Sequence, residues 1–170
     1  LTHQGATWAG DFIRYVTGLP YPLTAMSRAE LESTLDAIRQ KIKTEAPWAR
    51  RAGLLAYLDE QVAGIDTKEK LLAEMEAPFI KAEAWAKANG VRPENVTLGE
   101  FGMIRQEYGN PYMMPGKYRA AYIRDMIALA ERHGFSWSIW GYGGAFGIVD
   151  AFDGKKAEPD VMEMVRELAK

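Results

Sequence analysis

Apolar residues recur at helical spacing along most of the chain, and break into two short continuous runs near its middle and end. Ser27 with Glu30 three positions on makes a capping box, and Leu31, Leu35, Ile38 and Ile42 follow at intervals of three and four. That pattern predicts a helix over about 27–45, ended by Pro47. A second helix is expected over about 48–63, with Leu54, Leu55, Tyr57, Leu58 and Val62 as its apolar face and Gly64 closing it. Asp66 and Glu69 are read as the capping box of a third, whose inner face would hold Leu71, Leu72, Met75, Phe79, Ile80 and Trp85. Pro78 is expected to kink it and Gly90 to end it. A strongly amphipathic helix over about 117–133 places Tyr118, Tyr122, Ile123, Met126, Ile127 and Ala130 inward and stops at Gly134, and Pro159 opens a last helix over about 159–169.

Between these lie the two candidate strands, Val96–Gly102 and Phe135–Trp140. A strand, a crossover helix and a second strand pack as parallel neighbours. Parallel strands are ordinarily covered on both faces, and two alone leave both outer edges unpaired. The chain therefore reads as an incomplete α/β unit. Residues 1–24 carry Gly5, Gly10, Gly18, Pro20 and Pro22 as breakers among Trp8, Phe12, Tyr15 and Tyr21, and are expected to form a long aromatic-rich loop.

Composition narrows the chemistry. Acidic and basic residues are mixed and the net charge is −2, without the gathered basic surplus of a nucleic-acid footprint. No apolar run approaches the length of a membrane span, so neither nucleic acid nor membrane is an expected partner. Cysteine is absent, which removes disulfides, thiolate metal sites and a thiol nucleophile. His3 and His133 are the sole histidines, far apart, and no metal-ligand spacing or Ser-His-Asp arrangement is present; no metal and no cofactor are expected. Five Trp and eight Tyr suit a sugar site, since the apolar face of a pyranose packs on an aromatic ring.

Glu100 is the most informative residue. It stands at the C-terminal end of an apolar strand, between Gly99 and Gly102, where an ionised carboxylate is costly unless paired. Two readings are open from placement alone: an ion pair with Arg105 or Arg119, or a catalytic carboxylate. In the second strand, alternation sends Trp137 and Ile139 one way and Ser136, Ser138 and Trp140 the other. Trp137 is assigned to the core, while Trp140, beside Gly141, is placed to present its indole face to a ligand. The glycines at 141, 143, 144 and 147 fit neither a phosphate loop nor a dinucleotide fingerprint. Asp150 and Asp153 are expected on a solvated loop beyond the strand.

The runs Val96–Gly102 (VTLGEFG) and Gly134–Asp150 (GFSWSIWGYGGAFGIVD), in that order and separated by a helix, resemble the last two strands of glycoside hydrolase family 5, the cellulase-like enzymes. Leu1–Trp8 (LTHQGATW) resembles the segment after the sixth strand of the same proteins. The resemblance implies the C-terminal part of a TIM (β/α)8 barrel, the whole of 1–170 being one portion of one catalytic domain. It implies Glu100 as nucleophile and Trp140 as the floor of the sugar subsite at the cleaved bond. Trp8 and Tyr112 are further candidates to line glycan subsites, with loop packing as the alternative for each, and His3 is read as structural.

The family's acid/base Glu follows an Asn on the fourth strand, and no Asn-Glu-Pro occurs here. A retaining glycosidase needs two carboxyls about 5–5.5 Å apart. The expected partner is thus the N-terminal half of the same barrel, covalent or separate, and the 170 residues alone are expected to be inactive. The implied reaction is retaining endo-hydrolysis of a β-linked glucan or oligosaccharide, outside the cytoplasm (secreted or periplasmic). Another β-glycan specificity (β-1,3-glucan or mannan) and a non-catalytic carbohydrate-binding or structural barrel fragment are the alternatives. The chain opens on Leu1 without a basic-then-apolar leader, so either a removed leader or an upstream N-terminus is expected.

Overall fold

A computed structural model of the protein describes residues 12–106, 111–149 and 158–168. In these, six helices accompany a two-stranded sheet: α1 (Phe12–Tyr15), α2 (Arg28–Glu45), α3 (Trp48–Ala63), α4 (Lys68–Ala88), β1 (Thr97–Phe101), α5 (Gly116–Arg132), β2 (Ser136–Ile139) and α6 (Pro159–Leu168). This is a helix-rich α/β arrangement. The strands pair in parallel, with Thr97 opposite Ser136, Leu98 opposite Trp137 and Phe101 opposite Ile139, and an irregularity between Leu98 and Phe101. The crossover is α5, as the spacing predicts.

The helix boundaries follow local chemistry. At the start of α2 the Ser27 hydroxyl accepts from the Glu30 amide at 3.3 Å, while the Ser27 amide donates to the Glu30 carboxylate at 2.9 Å. Helix α4 departs from expectation: its cap is Thr67, whose hydroxyl accepts from the Lys70 amide, and Asp66 instead pairs with the Lys70 ammonium at 2.7 Å. A residue one place closer to the first turn reaches the free amides better. Pro78 lies inside a continuous α4. Gly90 and Gly134 take positive φ of 66° and 70° and let the chain leave α4 and α5.

Two core units result. One packs α1, α2 and α3 around Leu35, Ile38, Ile42, Leu54 and Leu58. The other packs α4, α5 and α6 against the sheet through Leu71, Phe101, Tyr122, Ile123, Ile127, Val161 and Met164, with Phe79, Leu129, Ala130 and Phe135 adjoining. Trp137 packs into this second unit edge-on to Phe101, 6.4 Å between ring centres. The expected inner face of α4 is partly wrong, since Ile80 and Trp85 are exposed. Its inward stripe runs Leu71, Met75, Phe79, Ala82 and Ala86, at steps of three and four. Ile80 and Trp85 fall beside that stripe.

The expectation of a buried first strand also fails: Thr97, Gly99 and Glu100 are exposed, and Phe101 alone is buried. The cause is missing cover. Among the described residues β1 has a strand on one side only. Its start, at Val96, Thr97 and Leu98, borders a cleft of about 750 Å³ walled by Leu71, Met75, Phe79, Tyr122 and Met126, with Glu60 and Glu74 also lining it.

Two buried tyrosines make the stability of this fold depend on alkaline pH. Burial pushes the Tyr122 hydroxyl from its ordinary 10 up to about 12. Burial, reinforced by the nearby Asp125 carboxylate that accepts its hydrogen bond at 2.9 Å, raises Tyr21 as well. Between pH 10 and 12 the unfolded chain sheds protons that the folded chain keeps, so stability falls as pH rises. Urea midpoints are expected to be level up to pH 9 and to drop above pH 10, Tyr122 accounting for about 2 kcal/mol by pH 12. The same slope in a Tyr122→Phe variant would show that this residue is not its source.

Candidate active site

The C-terminal ends of β1 and β2 meet at one place. The Trp140 amide donates to the Phe101 carbonyl at 2.8 Å, bringing the residues after both strands side by side. The approach is closer than any side chain permits at Gly102, where a Cβ would stand 2.0 Å from the Trp140 carbonyl oxygen and 3.5 Å from the Phe146 ring. Glycine at 102 is therefore what lets the Glu100 strand and the Trp140 strand close on each other.

Glu100 lies at the mouth of this pair. Its side chain is exposed and has no hydrogen-bond or ion-pair partner among the described residues. The ion-pair alternative does not hold. Arg105 places its Nε 2.8 Å from Glu158 Oε1, and Arg119 bonds the other oxygen of the same carboxylate. The desolvation argument for Glu100 does not hold either in this chain, since β1 lacks the cover that would bury it.

Beside it, Trp140 is 55% exposed although it follows a packed strand, and Tyr142, two residues on, is equally so. Large aromatics exposed together at a strand end suit packing against the apolar face of a ring ligand. The turn that carries them is tied down by its backbone: Ile148 donates to Gly141 and Tyr142 at 3.1 Å, Val149 to Tyr142 at 3.1 Å, and Gly147 to Gly144 at 2.9 Å. It is also joined to the loop after β1, where the Arg105 amide donates to the Ala145 carbonyl at 2.6 Å. The Trp140–Gly141 peptide is cis.

Of the other site candidates, Tyr112 lies among the described residues. Tyr112 is half-buried; burial raises its hydroxyl above the ordinary value, and a hydrogen bond from the Gly18 backbone opposes that. It is thus tied to the segment before α2. Trp8, His3, Asp150 and Asp153 lie outside the described residues. His133 is a structural histidine. It packs against both Phe79 and Phe135, with Nδ1 2.6 Å from Glu83 and Nε2 3.1 Å from Glu76. Among the described residues no cluster of three or more His, Asp or Glu could hold a metal ion, and no helix is long and apolar enough to cross a membrane.

The sequence reading missed two residues here. Tyr142 follows Trp140 at the interval that repeats a strand face, a signal available in the sequence. Glu158, 39 positions from Arg119, offered none.

No family model and no curated protein matches this chain. Three solved structures resemble part of it. Cellulose synthase subunit Z from Clostridioides difficile is 27% identical over 58% of this chain and 29% of its own, with a TM-score of 0.45. A hyperthermophilic endo-β-1,4-glucanase solved in complex with substrate is 23% identical over 59% and 29%, with a TM-score of 0.43. An endoglucanase is 25% identical over 58% and 28%, with a TM-score of 0.44. The chain thus spans less than a third of the length of each protein it is similar to.

Proposed function

We propose that this chain is the C-terminal part of a retaining β-glucan hydrolase of the (β/α)8 type, with Glu100 as nucleophile and Trp140 as the floor of the adjoining sugar subsite. One observation carries the reading: an exposed, unpaired carboxylate and an exposed tryptophan at the ends of two parallel strands, held together by a glycine that no other residue can replace without displacing backbone. Catalytic groups of parallel α/β barrels sit at that end of the strands.

In the first step Glu100 attacks the anomeric carbon of a β-linked glucan while a second carboxylic acid protonates the departing oxygen. The glycosyl–Glu100 ester then forms as the glycosidic bond breaks. In the second step water, deprotonated by the same second carboxylate, releases the sugar with its configuration retained. Among the described residues nothing pairs with Glu100 as that second acid. We assign it to the N-terminal half of the barrel, supplied covalently or as a separate chain. The open side of β1 and the apolar cleft at its start are where a neighbouring strand would complete the sheet. A polymer substrate of this kind lies outside the cytoplasm, so a secreted or periplasmic setting is part of the same proposal.

The subsite is testable without the second half. Titration of the 170-residue chain with cellohexaose, followed by intrinsic fluorescence, is expected to show saturable binding. Trp140→Ala should weaken it about tenfold, the scale of one good aromatic contact. Equal affinity in Trp140→Ala would remove Trp140 from the site. Binding that persists when the barrel is completed, with no turnover, would favour the non-catalytic carbohydrate-binding alternative.

A further inference from the structure

The one fully buried charged side chain among the described residues belongs to Arg119, in the first turns of α5. It does not reach Glu100, and the reaction above gives it no task. Its side chain makes four hydrogen bonds, to three separate stretches of chain. Nε donates to the Met103 carbonyl at 3.0 Å, just past the end of β1. Nη2 donates to the carbonyls of Phe146 and Gly147, both at 2.7 Å, in the turn that carries Trp140 and Tyr142. Nη1 meets the Glu158 carboxylate at the start of α6, whose other oxygen lies beside Arg105.

We propose that Arg119 is a positioning residue: from beneath the site it clamps the loop after Glu100 to the turn after Trp140 and so fixes the tryptophan platform relative to the carboxylate. Only a guanidinium has the geometry for this. Its planar fork offers donors in three directions at fixed angles, whereas a lysine ammonium offers three donors from a single atom. The clamp is also self-enforcing. Releasing any one carbonyl leaves part of a buried cation unsolvated, and that cost holds the three stretches in place; burial lowers the proton affinity of this group, and the Glu158 carboxylate opposes that shift and keeps the guanidinium charged. The two loops are further joined through the Arg105 amide and the Ala145 carbonyl, which gives the clamp a local reporter.

The inference rests on the glycan-site reading for its functional half, and its test separates the two. Amide hydrogen exchange and cellohexaose affinity are measured on the 170-residue chain as wild type, Arg119→Lys, Glu158→Gln and Leu58→Ala. Leu58 is fully buried in the other core unit and serves as a control for general destabilisation. In Arg119→Lys the Arg105 and Ile148 amides should exchange about tenfold faster and cellohexaose affinity should fall about tenfold, while the Ile127 and Leu129 amides of α5 stay protected. Leu58→Ala should lower the melting temperature and change neither readout. If Arg119→Lys does not fold, Glu158→Gln is judged by the same two readouts. Wild-type exchange at Arg105 and Ile148, or wild-type affinity despite faster exchange, overturns the positioning role. A wild-type chain that takes no cellohexaose sinks the glycan reading instead, and the exchange measurement alone then decides whether Arg119 holds the two turns together.

Discussion

Replacing Glu100 by Gln in the completed protein is expected to lower turnover of a β-glucan by about 10⁴-fold or more and to leave substrate affinity nearly unchanged. The amide keeps the size and the hydrogen-bonding outline of the carboxylate but cannot form the glycosyl ester. The loss therefore falls on the rate constant and not on binding. The side chain is exposed and without a partner among the described residues, so the exchange breaks no hydrogen bond or ion pair and the fold should be untouched. That separation matters, because a drop in rate accompanied by a drop in melting temperature would carry no information on mechanism. Steady-state kinetics with thermal unfolding of the same samples reads both. The wild-type 170-residue chain alone is expected to show no hydrolysis, since one carboxyl cannot both attack and protonate. Near wild-type turnover in Glu100→Gln would end the assignment, and hydrolysis by the isolated chain would end the need for a second half.

Gly102→Ala should have the largest effect on stability of any single methyl added to the site. The new carbon would stand 2.0 Å from a backbone oxygen, not from the tip of a side chain that can swing aside. Relief requires β1 and the residues after β2 to separate, against the Trp140–Phe101 hydrogen bond and the packing of Phe101 on Trp137. Overpacking of this kind costs about 3 kcal/mol. For a chain of this size that corresponds to a fall in melting temperature on the order of 6–12 °C. Gly99→Ala, three residues earlier with nothing within 4 Å of the added carbon, is the matched comparison and should shift the midpoint by about 2 °C or less. Equal stability of the two variants would mean that the close approach of the two strand ends is not what glycine at 102 serves.

The helices were legible because their signals are local. Ser27 and Glu30 cap each other across three residues, and the inward face of α5 repeats every three or four positions with nothing distant to override it. Errors arose where cover or contact comes from far along the chain. Apolar residues in β1 suggested burial, but burial is a property of neighbours, and one side of that strand has none among the described residues. Ile80 and Trp85 looked like core on hydrophobicity, while packing direction is set by the stripe that meets α5. Glu100 and Trp140 were readable as site candidates from strand-end placement and flanking glycines. The clamp beneath them was not, because Arg119 was legible only as a charge in search of a carboxylate, and its partner Glu158 lies 39 positions away. A charge set among Tyr118, Ala120, Tyr122 and Ile123, all buried, was the one local sign that its partner had to be internal.

The most direct measurement of the central claim is a trapped intermediate. The completed protein, incubated with an activated 2-deoxy-2-fluoro-β-cellobioside, is analysed by intact mass and peptide mapping. A single fluorocellobiosyl adduct on the peptide that contains Glu100, absent from Glu100→Gln, is the predicted result. An adduct on any other residue, or none in a preparation that hydrolyses the glucan, would contradict it.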